Sequence, residues 1–271
     1  MSERDVAIIR RPSVAALRGL LSALLALAAA AAVALAQTPK PAPKDAPRVL
    51  MALPFGIAPG KPVQVEMRGL NLDTAKSVRL AGKGTIKLLK GEKLTVPNMR
   101  EASKEGSSRV LVEVALAEDV AGEAVEAIVV TPAGEAPPHR ILVVRKPLTP
   151  EKEPNDGFKT AQPVKAGETI EGRIVRDRDV DVYRFELKAG EEAVVEVFAA
   201  RHGGALDSFL EVFDSEGNII ASSDDLPGTT DSRVRWTAKK AGVYYASVTD
   251  AHGQGGPGHL YWLTMTTPAR R

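Results

Sequence analysis

Between residues 48 and 144, short apolar runs recur at 49–53, 63–67, 78–80, 85–89, 110–116, 124–130 and 141–144. The run at 110–116, Val-Leu-Val-Glu-Val-Ala-Leu, mixes alternation with a fuller apolar stretch, as a strand buried on one or both faces does. Gly60, Gly69, Gly82, Gly84, Gly91 and Pro132-Ala133-Gly134 separate the runs. A second series follows at 170–175, 180–187, 193–199, 209–213, 219–222, 233–237, 243–248 and 260–265. In Tyr183-x-Phe185-x-Leu187 the apolar side chains share one face, and Arg184 and Glu186 take the other. Asp214-Ser215-Glu216-Gly217 makes a tight connection within this series. No long amphipathic helix competes, so the pattern predicts an all-β chain.

Seven strands and then eight predict two β-sandwich modules, the second of jelly-roll type. The N-terminus reads as an export signal. Arg10, Arg11 and Arg18 precede an apolar run at 20–35, and Ala34-Leu35-Ala36 supplies the small residues of a cleavage site before Gln37. Left uncleaved, that run approaches the length of a membrane anchor. The expected organisation is signal 1–36, a Pro- and Lys-rich linker 37–47, a first sandwich 48–146, a second sandwich 147–267 and a tail 268–271.

Charge supports the division. Residues 37–148 hold 17 Lys and Arg against 12 acids, whereas 149–271 hold 15 against 20. The basic residues Lys76, Arg79, Lys83, Lys87, Lys90 and Lys93 form a stretch in the first half. On a continuous strand Lys87 and Lys90 would take opposite faces, which favours a solvated edge over an anion-binding patch. No nucleic-acid partner is expected.

The chain has no cysteine, and therefore no thiol nucleophile, disulfide or thiolate metal site. It also lacks a Gly-x-Ser-x-Gly elbow, a His-Glu-x-x-His helix and a phosphate-cradling Gly-x-x-x-x-Gly-Lys run. A non-catalytic protein is expected. His202, His252 and His259 lack the spacing of a zinc site and are expected at the surface, while Asp207, Asp224, Asp225 and Asp231 are expected to cap turns.

Two acidic clusters stand out. Glu151, Glu153 and Asn155 alternate, followed by Asp156, and Asp177, Asp179 and Asp181 alternate on the approach to a strand. An extended backbone puts each alternating set on one side, and Pro154 favours that extension. A hard cation such as calcium takes about six to eight oxygens at about 2.3–2.6 Å, and these side chains supply them. Brought together by the sheet, the seven residues would form a calcium cage.

Glu151-x-Glu153-x-Asn155-Asp156, then Asp179-x-Asp181-x-Tyr183-x-Phe185 and the Leu187-x-Ala189-Gly190-Glu191 turn, resemble the bacterial pre-peptidase C-terminal domain over residues 147–266. That family is a small β-sandwich appended to many secreted enzymes, and collagen-binding domains of bacterial collagenases are similar to it. The resemblance implies calcium ligands in the acidic linker, matched by Glu151, Glu153, Asn155 and Asp156, and in the loop before the Tyr183 strand. Gly69-Leu70-Asn71-Leu72 and the VVTPAGEAP run at 129–137 resemble the immunoglobulin-like IPT/TIG family, implying an Ig-like first module.

These features lead to a secreted, periplasmic or cell-envelope binding or anchoring protein. Its expected partner is an extracellular polysaccharide or protein polymer, or an envelope protein, with membrane contact only if the signal is retained. The alternative is an accessory or maturation partner of a secreted peptidase or other hydrolase. Tyr244-Tyr245 and Tyr261-Trp262 must each send one ring to either face of a strand.

Overall fold

The computed structural model describes residues 45–97 and 100–268. The expected signal and nearly all of the Pro-rich linker lie outside them. Among the described residues no helix is long and apolar enough to cross a membrane.

The first part of the chain runs β1 (Arg48–Leu53), β2 (Gly56–Ile57), β3 (Val63–Leu70), β4 (Ser77–Ala81), β5 (Gly84–Lys93), α1 (Ala102–Glu105), β6 (Ser108–Leu116), β7 (Ala124–Thr131), β8 (Gly134–Glu135) and β9 (His139–Val143). One sheet has the order β1-β3-β6-β5, and the other has β2-β9-β7-β4 with β8 beside β7. Alternation decides what lies between them. Every second residue of β6 from Ser108 to Leu116 is buried. Val110, Val112 and Val114 share one core with Val65 and Met67 of β3, Val125, Ala127 and Val129 of β7 and Ile141 of β9.

β5 is an edge strand, and its register to β6 shifts between Leu88 and Lys90. This corrects the expected placement of the lysines. One extra residue, Leu89, reverses the alternation, so Lys87 and Lys90 fall on the same side. Within the basic stretch Lys90 pairs with Glu92, Lys83 with Asp119 and Arg79 with Glu135.

The chain continues through β10 (Thr149–Pro150), β11 (Gln162–Pro163), β12 (Thr169–Arg173), β13 (Asp181–Leu187), β14 (Glu192–Phe198), β15 (Ser208–Phe213), β16 (Ile219–Ser223), β17 (Arg233–Thr237), β18 (Gly242–Asp250) and β19 (Leu260–Thr266). Two five-stranded sheets result, β10-β12-β19-β14-β17 and β11-β13-β18-β15-β16. Ile170, Val195, Val197, Leu263 and Met265 from the first meet Tyr183, Phe185, Leu210, Val212, Ala246 and Val248 from the second in one core.

A smaller apolar cluster joins the two sandwiches. Met51, Leu53 and Phe55 from the first pack on Leu260 of the second, with Leu142, Ala205 and Trp262 at the margin. Gly203 and Gly204 belong to this seam. A Cβ on Gly203 would stand 2.8 Å from the Leu50 carbonyl oxygen, and one on Gly204 would stand 2.9 Å from the Phe55 ring. Arg100 crosses the same seam. Its guanidinium pairs with Glu105, donates to Gln254 Oε1 (3.1 Å) and the Gly255 carbonyl (3.0 Å), and pairs with Asp177.

Candidate metal centre

The linker between the sandwiches is stitched to both sheets of the second. Thr149 and Pro150 pair in parallel with Ile170 and Glu171, and Gln162 and Pro163 pair in parallel with Tyr183 and Arg184. The segment between them therefore crosses from one sheet to the other over the end of the core. Gln162 closes this crossing, accepting from Lys152 N (2.6 Å) and donating to the Pro150 carbonyl (3.2 Å). Asn155 ties its middle down, its carbonyl accepting from Val182 N at 2.9 Å.

Strand parity supplies the residues below. Asp181 has the same parity as Tyr183, Phe185 and Leu187, so the alternation that buries those three also drives a carboxylate into the core end, where it is fully buried. Tyr261 enters from β19 with the parity of Leu263 and Met265. Gly172 on β12 leaves the room both rings need. A Cβ there would lie 2.6 Å from the Tyr261 hydroxyl and 2.9 Å from that of Tyr183.

Glu151 Oε1 accepts from Asn155 Nδ2 (2.9 Å) and the Tyr183 hydroxyl (2.8 Å), and Oε2 accepts from Arg173 N (2.9 Å). The Tyr261 hydroxyl and Asp181 Oδ2 share a hydrogen bond of 2.6 Å. Glu153 Oε2 accepts from Asn155 N (3.0 Å), and Asp179 Oδ2 accepts from Val175 N (2.8 Å). Carboxylate oxygens of Glu153, Asp179 and Asp181 lie within 4.8 Å of one another.

Three buried oxygens in this group lack a hydrogen-bond partner: Asn155 Oδ1, Asp179 Oδ1 and Asp181 Oδ1. Arg176 lies 3.1 Å from Asp179 Oδ1, at ion-pair distance but out of line for a hydrogen bond. Burial, and then the nearby Glu151 charge, pushes the Asp181 carboxyl up to about 9. Burial also raises Glu153, with Glu151, Asp179 and Asp156 adding to it against the Asn155 N–H. A carboxylate group this crowded is unfavourable without a cation or a proton. The donor set, all oxygen and carboxylate-rich, suits calcium chemically.

Not all seven predicted residues converge. Asp177 is well exposed, pairs with Arg100 and accepts from Gly255 N (3.1 Å). Arg178, at φ 61°, turns the backbone between Asp177 and Asp179. The alternation that would have aligned the two holds only for extended chain. Asp156 also faces outward, bound to Arg176 at 3.1 Å. Tyr183 and Tyr261 were absent from the predicted set although they line the cage, because their spacing signals only core strands.

Two other expectations change. His259 is 1% exposed and His202 is half-buried among aromatic rings, so neither is a surface histidine. Asp231 does cap a turn, accepting from the backbone N–H of Ala199, Ala200 and Arg201. A second group, Asp207, Asp224 and Asp225, has carboxylates within the same 4.8 Å limit but is largely exposed.

The model of the bacterial pre-peptidase C-terminal domain matches residues 179–250. A domain of this type is present near the C-terminus. Domains of this type are non-catalytic binding modules, and this chain carries no cysteine nucleophile. A probable subtilase-type serine protease of Deinococcus radiodurans is 33% identical over 123 residues, which is 42% of this chain and 17% of that protein. The chain thus matches a small part of the length of that curated relative. Among solved structures, the pre-peptidase C-terminal domain of Bacillus anthracis collagenase aligns with 45% of this chain and 100% of its own, at 17% identity and TM-score 0.31. Aeromonas hydrophila PliG, a periplasmic inhibitor of g-type lysozyme, aligns with 40% of this chain and 96% of its own, at 17% identity and TM-score 0.33.

Proposed function

We propose that this is an exported, non-catalytic binding protein whose pre-peptidase C-terminal-type sandwich is completed by calcium, held between the acidic linker and the β13 entry loop. The observation that carries this reading is the trio of buried oxygens of Asn155, Asp179 and Asp181 that make no hydrogen bond. Glu151, Glu153, Asn155, Asp179 and Asp181 would hold the ion. Asp156 and Asp177 would act from outside, through Arg176 and Arg100. Calcium neutralises the carboxylates and fixes the linker over the end of the core. A site with a Kd on the order of 10⁻⁴ M contributes about 1.4 kcal/mol at millimolar calcium, enough to order a linker without being needed for the fold.

The ordered linker sets how an Ig-like first module and a jelly-roll-like second module present a surface to an extracellular polymer or envelope protein. A second reading, accessory to a secreted hydrolase, draws support from the aligned segment within a probable serine protease.

Calcium titration by calorimetry, with melting curves in calcium and in chelator, tests the cage. Saturable heat and a higher Tm, both lost in Glu153→Ala/Asp179→Ala, support it. No heat and no shift at millimolar calcium would remove it. Binding to insoluble glycans and collagen, compared with capture of purified secreted peptidases, separates the two readings.

A further inference from the structure

Three of the four histidines lie along the seam between the sandwiches. His139, on β9 of the first sandwich, has its Cε1 3.5 Å from where a Cβ on Gly203 of the second would stand. Its Nε2 is buried without a partner. His202 belongs to the second sandwich and meets Phe55 of the first edge-on at 5.5 Å between ring centres. It also stacks on Phe198 at 5.6 Å and 9°, and meets Trp262 edge-on at 5.0 Å. His259, near Arg100 at the other side of the seam, has both ring nitrogens buried without hydrogen bonds.

We propose that the seam is an acid-opened joint, closed while His139 and His202 are neutral and released when they take up protons. A proton on His139 would add a charge beside a ring nitrogen that is buried and faces no hydrogen-bond acceptor of the protein. Arg140 flanks it on its own strand, and the facing turn carries Arg201. For His202 the surrounding charges are Asp231 and Arg201 from the second sandwich and Arg140 from the first.

Asp231 is already committed to Arg201 and three backbone N–H groups. The Arg201 guanidinium also lies 4.3 Å from the centre of the Phe198 ring on which His202 stacks. A second cation against that ring would meet the first, so the aromatic surroundings give His202 little relief. At His259 the facing charges are Glu105 and Arg100 from the first sandwich and Asp250 and Asp177 from the second.

Burial pushes His139 down to about 4. Burial is also the largest cause lowering His202, opposed by Asp231 and by a hydrogen bond to the Arg201 backbone, and reinforced by the charges of Arg201 and Arg140. The closed seam therefore binds fewer protons than the open one. Closure is fully favoured above the ordinary imidazole value of 6.5 and is lost as pH falls toward 4. With those two values for His139, closure weakens on the order of 50- to 100-fold at pH 4.5. The cores do not depend on these histidines, so each sandwich stays folded as the pair parts.

The test is small-angle scattering of the full chain from pH 7.5 to 4.5 in chelator, with fluorescence of Trp262 in a Trp236→Phe background. The expected result is a rise in radius of gyration and a change in Trp262 emission between pH 6.5 and 4.5, with far-ultraviolet dichroism unchanged. His139→Leu/His202→Phe should remain compact to lower pH. A wild-type chain that stays compact to pH 4.5, or a folded double variant that opens at the wild-type pH, would overturn the proposal. Imidazole C2–H resonances followed on the wild-type protein give an independent check, and titration of His139 and His202 at or above 6.5 would also overturn it.

Discussion

The phenolic oxygens of Tyr183 and Tyr261 lie 2.6 Å apart at the floor of the acidic cage. They are the middle of a four-oxygen row: Glu151 Oε1 to Tyr183 at 2.8 Å, Tyr183 to Tyr261, and Tyr261 to Asp181 Oδ2 at 2.6 Å. Three hydrogen bonds need three hydrogens, and two phenols own two. A proton on Asp181 supplies the third, consistent with burial and Glu151 pushing that carboxyl up to about 9. The tyrosines cannot give it up, since burial holds both hydroxyls well above their ordinary range. Without a cation, a proton neutralises the Asp181 end of the row.

Calcium should therefore displace that proton. Calorimetry at pH 7.5 in two buffers of different ionisation enthalpy should give different heats, corresponding to about one proton released per calcium as Asp181 ionises. Equal heats in the two buffers would rule the exchange out.

The same group sets a pH dependence in chelator. A carboxyl raised from 3.8 to about 9 gives stability that is full below 3.8 and lost as pH rises through 9, because the folded state binds the extra proton. Between pH 7 and 9 the Tm should fall in the wild type and stay flatter in Asp181→Asn, where the amide needs no proton. Parallel slopes would assign the loss to another group.

Gly172→Ala should damage the cage from behind. The new Cβ would lie 2.5 Å from Tyr261 Cζ and 2.9 Å from the Tyr183 hydroxyl, both buried and both fixed by hydrogen bonds. Overpacking of this kind costs about 1–3 kcal/mol, measurable by urea unfolding, and calcium affinity should fall with it.

Arg100 and Asp177 should behave unequally. Arg100 and Glu105 have side chains only 10% and 7% exposed, whereas that of Asp177 is 70% exposed. Arg100→Ala strands Glu105 inside the seam and should cost about 3 kcal/mol. Asp177→Ala removes an exposed pairing and should cost less than about 1 kcal/mol. Urea unfolding of both decides it, and equal losses would mean that Asp177 does more than hold Arg100.

Most of the strands were legible because burial on one face writes itself into the sequence as alternation. Short β10 and β11 were not, since two residues carry no period, yet they hold the acidic linker across the two sheets. The β5 bulge that brings Lys87 and Lys90 to one side was hidden for a related reason, because one inserted residue reverses parity without changing composition.

By itself the sequence determined the all-β class, the carboxylate-rich linker and the parity that sends Asp181 inward with Tyr183. Tertiary structure decided which acids meet. Asp179 turns in and Asp177 turns out because Arg178 reverses the backbone between them. Tyr261 joins Glu151 across 110 positions of chain because β12 pairs with both β10 and β19. Periodicity reports which side of its own strand a residue takes; the neighbours it meets there are chosen by strand pairing and sheet packing, which act between residues far apart in the chain.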